Sequence, residues 1–208
     1  MRILSGIIVS ACLAFAGSAQ DISGDRSELS RLDACEDRDP GDIAPFLMEC
    51  EAHAGFRVMM AASDHSASLA FGDNGQIEQF GSGPMIGGLF TTLGPVIEWR
   101  HRDGEDKPYA NIVRWRGVLP GYDEATGQMT NEETIITNVL VVSALRTDGP
   151  VSACHVAYID ASEISGANEL AHEIARTAAP GFACGEDRVM RIDAENPVRI
   201  MLRYPSDD

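Results

Sequence analysis

The sequence predicts an α+β domain: an antiparallel β-sheet packed on one face by a single helix in the C-terminal half and stapled by disulfides. Three observations carry this. From residue 56 onward, short apolar stretches alternate with turn-forming Gly, Asp, Asn and Pro, the pattern of successive strands. Ala167, Leu170, Ala171, Ile174, Ala175 and Ala178 fall on one face at helical spacing, with Asn168, Glu169, His172, Glu173 and Arg176 on the other. Four cysteines remain once an N-terminal export segment is set aside, an even number in an oxidising compartment.

That segment is read from residues 1–19. Arg2 supplies a positive start, residues 3–15 are apolar apart from Ser and Gly, and Gly17 and Ala19 place small residues before a cut. The run is shorter than the roughly 20 apolar residues of a membrane span. Val9-Ser10-Ala11-Cys12 resembles a lipoprotein cleavage box, but the apolar stretch before Cys12 is short for one and continues past it. The expected organisation is a signal peptide over 1–19, a flexible polar segment over 20–34, and one domain over 35–208. The expected location is the periplasm or the exterior, without stable membrane insertion.

The elements follow in order. Residues 35–50 are acidic and contain Pro40, Gly41 and Pro45, which reads as an irregular loop closed by its terminal cysteines. Residues 56–61 and 67–71 are short strands before an Asp73-Asn74-Gly75 turn, and 81–88 is a glycine-rich loop. Strands at 96–101 and 109–115 flank Asp103-Gly104-Glu105-Asp106, and 119–133 is a polar excursion. Residues 135–145 are apolar on both parities, as in a central strand buried on both faces. After the turn at Asp148-Gly149-Pro150 come a strand over 151–159 and the helix, with Ser165 as N-cap and Pro180-Gly181 as its stop. Residues 188–193 and 198–204 add strands around Glu195-Asn196-Pro197. Four cysteines allow three connectivities, and proximity favours Cys35–Cys50 and Cys154–Cys184. The second bond would pin the end of the helix to a strand.

Thr92-Leu93-Gly94-Pro95-Val96-Ile97-Glu98-Trp99-Arg100, Ala110-Asn111-Ile112-Val113-Arg114-Trp115, Cys154-His155-Val156-Ala157-Tyr158 and Ala167-Asn168-Glu169-Leu170-Ala171 together resemble the signature of an uncharacterised family of small exported bacterial proteins. The resemblance spans about residues 90–185. It implies export and the fold, and brings no activity with it.

Charge narrows the function classes. The net charge of −16 opposes nucleic acid and anionic membranes and suits a cationic partner. Familiar catalytic patterns fail one by one. His172-Glu173 begins a zinc-protease motif, but Arg176 stands where the second imidazole is needed. Gly81-Ser82-Gly83 lacks the strand and helix of a nucleophile elbow. Cys154 and His155 are strand neighbours and point to opposite faces. Asp123 and Glu124 lack the alternating ligands of a calcium loop. No pattern specifies a metal or a cofactor.

One grouping remains. Pairing Ile97 with Trp115 and Trp99 with Val113 collects the apolar residues on one face and sets Glu98 opposite Arg114, beside Arg100 and Arg116. Cys154 facing the helix turns His155 the other way. Glu98, Arg100, Arg114, Arg116 and His155 would then line the sheet face opposite the helix as an anion-binding surface, since guanidinium groups bind carboxylates bidentately. A solvated face of surface ion pairs is the plain alternative.

The reading that follows is a non-enzymatic exported domain that docks a partner, on the model of small disulfide-bonded inhibitors of cationic lysozymes. A hydrolase-like site around His155, Glu98 and Arg114, and a structural accessory of the cell envelope, are the alternatives. The intact mass of the exported protein is expected to match a chain beginning at Gln20. A diacylated Cys12 terminus would replace that reading with a membrane-anchored one.

Overall fold

A computed structural model describes residues 25–39, 46–63, 65–72, 81–82, 85–86, 88–147, 152–193 and 200–201. The export segment with Cys12, Pro40, Gly41, Pro45, the Asp73-Asn74-Gly75 and Asp148-Gly149-Pro150 turns, Glu195-Asn196-Pro197 and most of the expected last strand lie outside the described residues. In chain order the strands are β1 (Asp25–Arg31), β2 (Glu36–Arg38), β3 (Phe46–His53), β4 (Phe56–Ala62), β5 (Ala67–Gly72), β6 (Gly81–Ser82), β7 (Met85–Ile86), β8 (Phe90–Arg102), β9 (Ala110–Tyr122), β10 (Met129–Leu145) and β11 (Ala153–Asp160). Helix α1 (Ala167–Thr177) and a 3-10 turn at Ala179–Gly181 precede β12 (Met190–Ile192) and β13 (Ile200–Met201).

The strands form a six-stranded sheet in the order β1-β8-β9-β10-β11-β12, a five-stranded sheet β2-β3-β4-β5-β6, and the small pair β13-β7. The six-stranded sheet is the middle of three layers. Toward the five-stranded sheet it presents Ile97, Trp99, Val113, Trp115, Val139 and Val141, packed on Phe56, Val58, Leu69 and Phe71. Toward the helix it presents Ile112, Leu140, Val142, Ala157 and Ile159, packed on Ala167, Ala171, Ile174 and Ala175. The two-parity apolar pattern of β10 is therefore that of a central strand with a core on each side.

The α+β description holds coarsely, with corrections. The middle sheet is mixed, because β11 and β12 pair in parallel. Helix α1 lies between them in sequence, and a chain that crosses a sheet face through a helix returns in the same direction. Residues 25–31, expected to be loose, form edge strand β1 against β8. The stapled loop 35–50 contains β2 and most of β3, paired Glu36 to Glu49. The polar excursion is a continuation of the β9–β10 hairpin, with Tyr122 opposite Met129. Gly166, not Ser165, caps α1, in the left-handed conformation at φ 77° that glycine adopts without a Cβ penalty.

The β8–β9 register also differs. Ile97 pairs with Val113 and Glu98 with Ile112, two residues from the expected alignment, and a bulge between Leu93 and Ile97 then sets Leu93 opposite Trp115. An even slip leaves each side chain on its expected face, so the apolar grouping survives a wrong register.

Both expected disulfides form, Cys35–Cys50 and Cys154–Cys184. The second ties the start of β11 to the chain just beyond the 3-10 turn, closing α1 onto the sheet. Non-reducing peptide mapping should return these two linkages. Replacing Cys154 and Cys184 together by Ser should cost about 3–4 kcal/mol in urea unfolding, the loop entropy of a 30-residue closure. A loss below about 0.5 kcal/mol would show that α1 is held by its packing alone.

Candidate functional site

The expected anion-binding face does not assemble as expected. Glu98 and Arg114 lie on the helix side of the middle sheet: His172 Nε2 of α1 is 2.9 Å from Glu98 Oε1, and Arg114 donates to Asn168 Oδ1 at 3.1 Å. His155 lies on the other side, its Nδ1 hydrogen-bonded to the hydroxyl of Tyr158, a member of the core between the sheets. A β-bulge where Val142 and Ser143 meet β11 places His155 beside Ser143 while Cys154 stays with Ala144 on the helix side. The five residues therefore do not share a face: Glu98 and Arg114 are on the helix side and His155 is on the other.

Glu98 and Arg100 are engaged with their neighbours. Ser27 donates to Glu98 Oε1, and Arg100 Nη1 lies 3.3 Å from the same oxygen and also meets Ser27 Oγ. Arg100 Nη2 is 3.9 Å from Asp25, which accepts a hydrogen bond from Tyr109 at 2.8 Å. Burial pushes the Glu98 carboxyl up, but hydrogen bonds from Ser27 and His172 and the charges around it outweigh burial and hold it below its usual value. The same burial, with Asp25 alongside, raises the Tyr109 phenol to about 12. This is a network that seats β1 and α1 on the sheet. Arg116 stands apart from it: among the described residues its Nε has no hydrogen-bond partner, and it lines a cleft of about 630 Å³ between the sheets.

Among the described residues, most of the exposed large hydrophobics lie elsewhere. The outer halves of β9 and β10 form an arm bearing Leu119, Tyr122, Met129, Ile135 and Ile136, with Tyr122 59% and Met129 58% exposed. Its tip is well formed. Asp123 Oδ1 accepts from the backbone N–H groups of Ala125 and Thr126 and from the Thr126 hydroxyl, which hold the carboxyl below its usual value. Between Arg116 and Arg146 the sequence has Asp123, Glu124, Glu132 and Glu133 and no Lys or Arg. The cleft opens at the base of the arm, where Met60, Phe90, Val118, Pro120, Met129 and Glu133 line it.

The sequence reading passed over this arm because residues 119–133 are polar, and it took the exposed Ile135 and Ile136 as the start of a strand buried on both faces. It also passed over Glu28, His53 and His101, whose ligand atoms lie within 4.8 Å of one another although no spacing motif joins them. Among the described residues no helix is long and apolar enough to cross a membrane. No family model, curated protein or solved structure matches the chain.

His155 supplies a pH test. Its surroundings are dense enough that burial alone lowers its pKa to about 4. A carboxylate beside the ring would raise its pKa instead. A histidine depressed in the folded state is protonated first in the unfolded chain, so its contribution is intact above about pH 6.5 and is lost as pH falls toward 4. NMR titration should leave His155 neutral down to pH 5, and His155→Gln should shrink the drop in stability between pH 7 and pH 4.5. A midpoint near 6.5 would place the ring in solvent.

Proposed function

We propose that the chain is an exported, non-enzymatic binding domain that docks a cationic protein through the β9–β10 arm and the cleft at its base. The observation that carries this is the coincidence of exposed apolar side chains with unopposed acidic ones on a single protruding ribbon. Apolar residues such as Tyr122 and Met129 give the contact area of an interface centre, and Asp123, Glu124, Glu132 and Glu133 steer a positively charged partner toward it. The cleft gives an apolar side chain of the partner somewhere to insert. The two disulfides support export, and kinship with the small exported family resembled by residues 92–100 and 154–158 belongs to the same proposal.

The overall charge of −16 turns the surface away from nucleic acid and anionic lipid. A hydrolase-like centre at His155, Glu98 and Arg114 loses support because His155 hydrogen-bonds into the core between the sheets while Glu98 and Arg114 meet the helix.

Binding to a cationic lysozyme, with a neutral protein of similar size as control, tests the reading by biolayer interferometry at low and high salt. Glu132→Gln with Glu133→Gln should slow association and weaken binding about tenfold at low salt. Tyr122→Ser with Met129→Ser should weaken it by about 2 kcal/mol or more at either salt. Arm variants that bind like the parent would move the interface elsewhere, and failure to bind any cationic protein would remove the proposal.

A further inference from the structure

We propose that Glu28, His53 and His101 form a site for one divalent late first-row metal ion, zinc foremost, at the seam between the two large sheets. Three strands supply the ligands. Glu28 on β1 pairs with Trp99 of β8, and Arg26 pairs with His101, so Arg26, Glu28, Trp99 and His101 all face the five-stranded sheet. His53 reaches the same point from the end of β3. Its ring stacks on the Trp99 indole, centroids 4.8 Å apart and planes 20° apart, and meets His101 edge-on at 5.2 Å.

This packing aims nitrogen at nitrogen. His53 Nε2 lies 3.0 Å from His101 Nε2 and 3.5 Å from Glu28 Oε2. Two imidazoles on one tetrahedral zinc, with bonds of about 2.0–2.1 Å, have nitrogens about 3.3 Å apart. A few tenths of an ångström therefore separate the observed rings from a ligating pair. Glu28 is half exposed and can turn inward to complete the set.

Supporting groups surround the three. Arg26 Nε donates to Glu28 Oε1 at 3.0 Å, which leaves Oε2 toward His53, and Arg26 is itself anchored on the carbonyls of Arg102 and Glu105. The other nitrogen of His101, Nδ1, lies 3.4 Å from Arg26 Nη2, which can only donate, so a metal on Nε2 requires the Arg26 guanidinium to turn away and Nδ1 to take the ring proton. The Arg26 charge opposes a dication and sets an upper limit on affinity. A two-histidine, one-carboxylate set leaves a coordination position for water or a small ligand. A groove of about 350 Å³ beside Glu28, Ser30, Glu51 and His53 opens it to solvent. The competing arrangement is a plain Nε2–H···Nε2 hydrogen bond between neutral rings.

Isothermal titration of zinc chloride into the chelator-stripped protein at neutral pH separates the two, with thermal melting as the second readout. One zinc per chain should bind and raise Tm, because it joins β1, β3 and β8. His53→Gln should weaken binding about 100-fold or more, Glu28→Gln about tenfold, and His65→Gln and His172→Gln should leave it unchanged. His101 is buried and its replacement could unfold the chain, so cobalt absorption in the parent and in His53→Gln replaces that variant: a tetrahedral spectrum lost with His53 supports the site. No stoichiometric zinc binding, binding that survives His53→Gln, or binding lost with His172→Gln would overturn it.

Discussion

Trp99 is the side chain on which the two large sheets close. It is fully buried, its indole N–H donates to Ser30 Oγ on β1 at 2.9 Å, and His53, Phe56 and Phe71 of the five-stranded sheet pack around its ring. An indole of this size carries several kcal/mol of transfer free energy at about 25 cal/mol per Å². Its geometry matters as much as its area. The N–H requires a partner once buried, and Ser30 provides it only if β1 lies in register along β8. One residue therefore fixes the spacing of the layers and the position of the edge strand. It also fixes the plane of His53, and with it the convergence of ligand atoms from three strands.

The middle sheet has to satisfy cores on both sides, and that constraint explains what was legible in the sequence. β10 could be read because both parities are apolar, and α1 because six apolar residues share one face. The disulfides followed from proximity. β1 could not be read: Arg26, Glu28 and Ser30 face inward and are polar, so no hydrophobic alternation marks the strand. It is held by ladder hydrogen bonds to β8 and by side-chain bonds to residues more than sixty positions away. β12 is three residues long and its direction is set by the helix that precedes it, which a reading confined to hairpins does not anticipate.

The candidate sites show the same division. Parity correctly gathered Glu98, Arg100 and Arg114 on one face, because alternation survives a two-residue slip in register. It misjudged which face the helix covers: His155 lies opposite the helix, as Cys154 facing α1 requires, whereas Glu98 and Arg114 lie beneath it. The histidine pair is illegible for another reason. His53 and His101 come from different sheets, so their meeting depends on the packing of two layers and leaves no local spacing to find.

The polar residues inside the sandwich bear on where function resides. Across the inner face of the middle sheet, Glu28 pairs with Trp99, Trp99 with Asn111, Asn111 with Ser143 and Ser143 with His155. This transverse row, flanked by His101 and His53, interrupts a core otherwise built of Val, Ile, Leu and Phe. Asn111 is fully buried, and neither its amide nitrogen nor its carbonyl oxygen has a hydrogen-bond partner among the described residues. A buried polar group left in that state costs about 1–3 kcal/mol, and the depressed His155 adds a further cost in acid. An apolar residue at each position would satisfy the packing of a purely structural sheet. Stability alone thus does not account for this row, whose Glu28 end adjoins the two converging histidines, whereas the exposed arm at the far end of β9 and β10 burdens solubility rather than the core. The two regions depart from the fold's own preferences in different ways, one by polar groups inside the core and the other by apolar groups outside it.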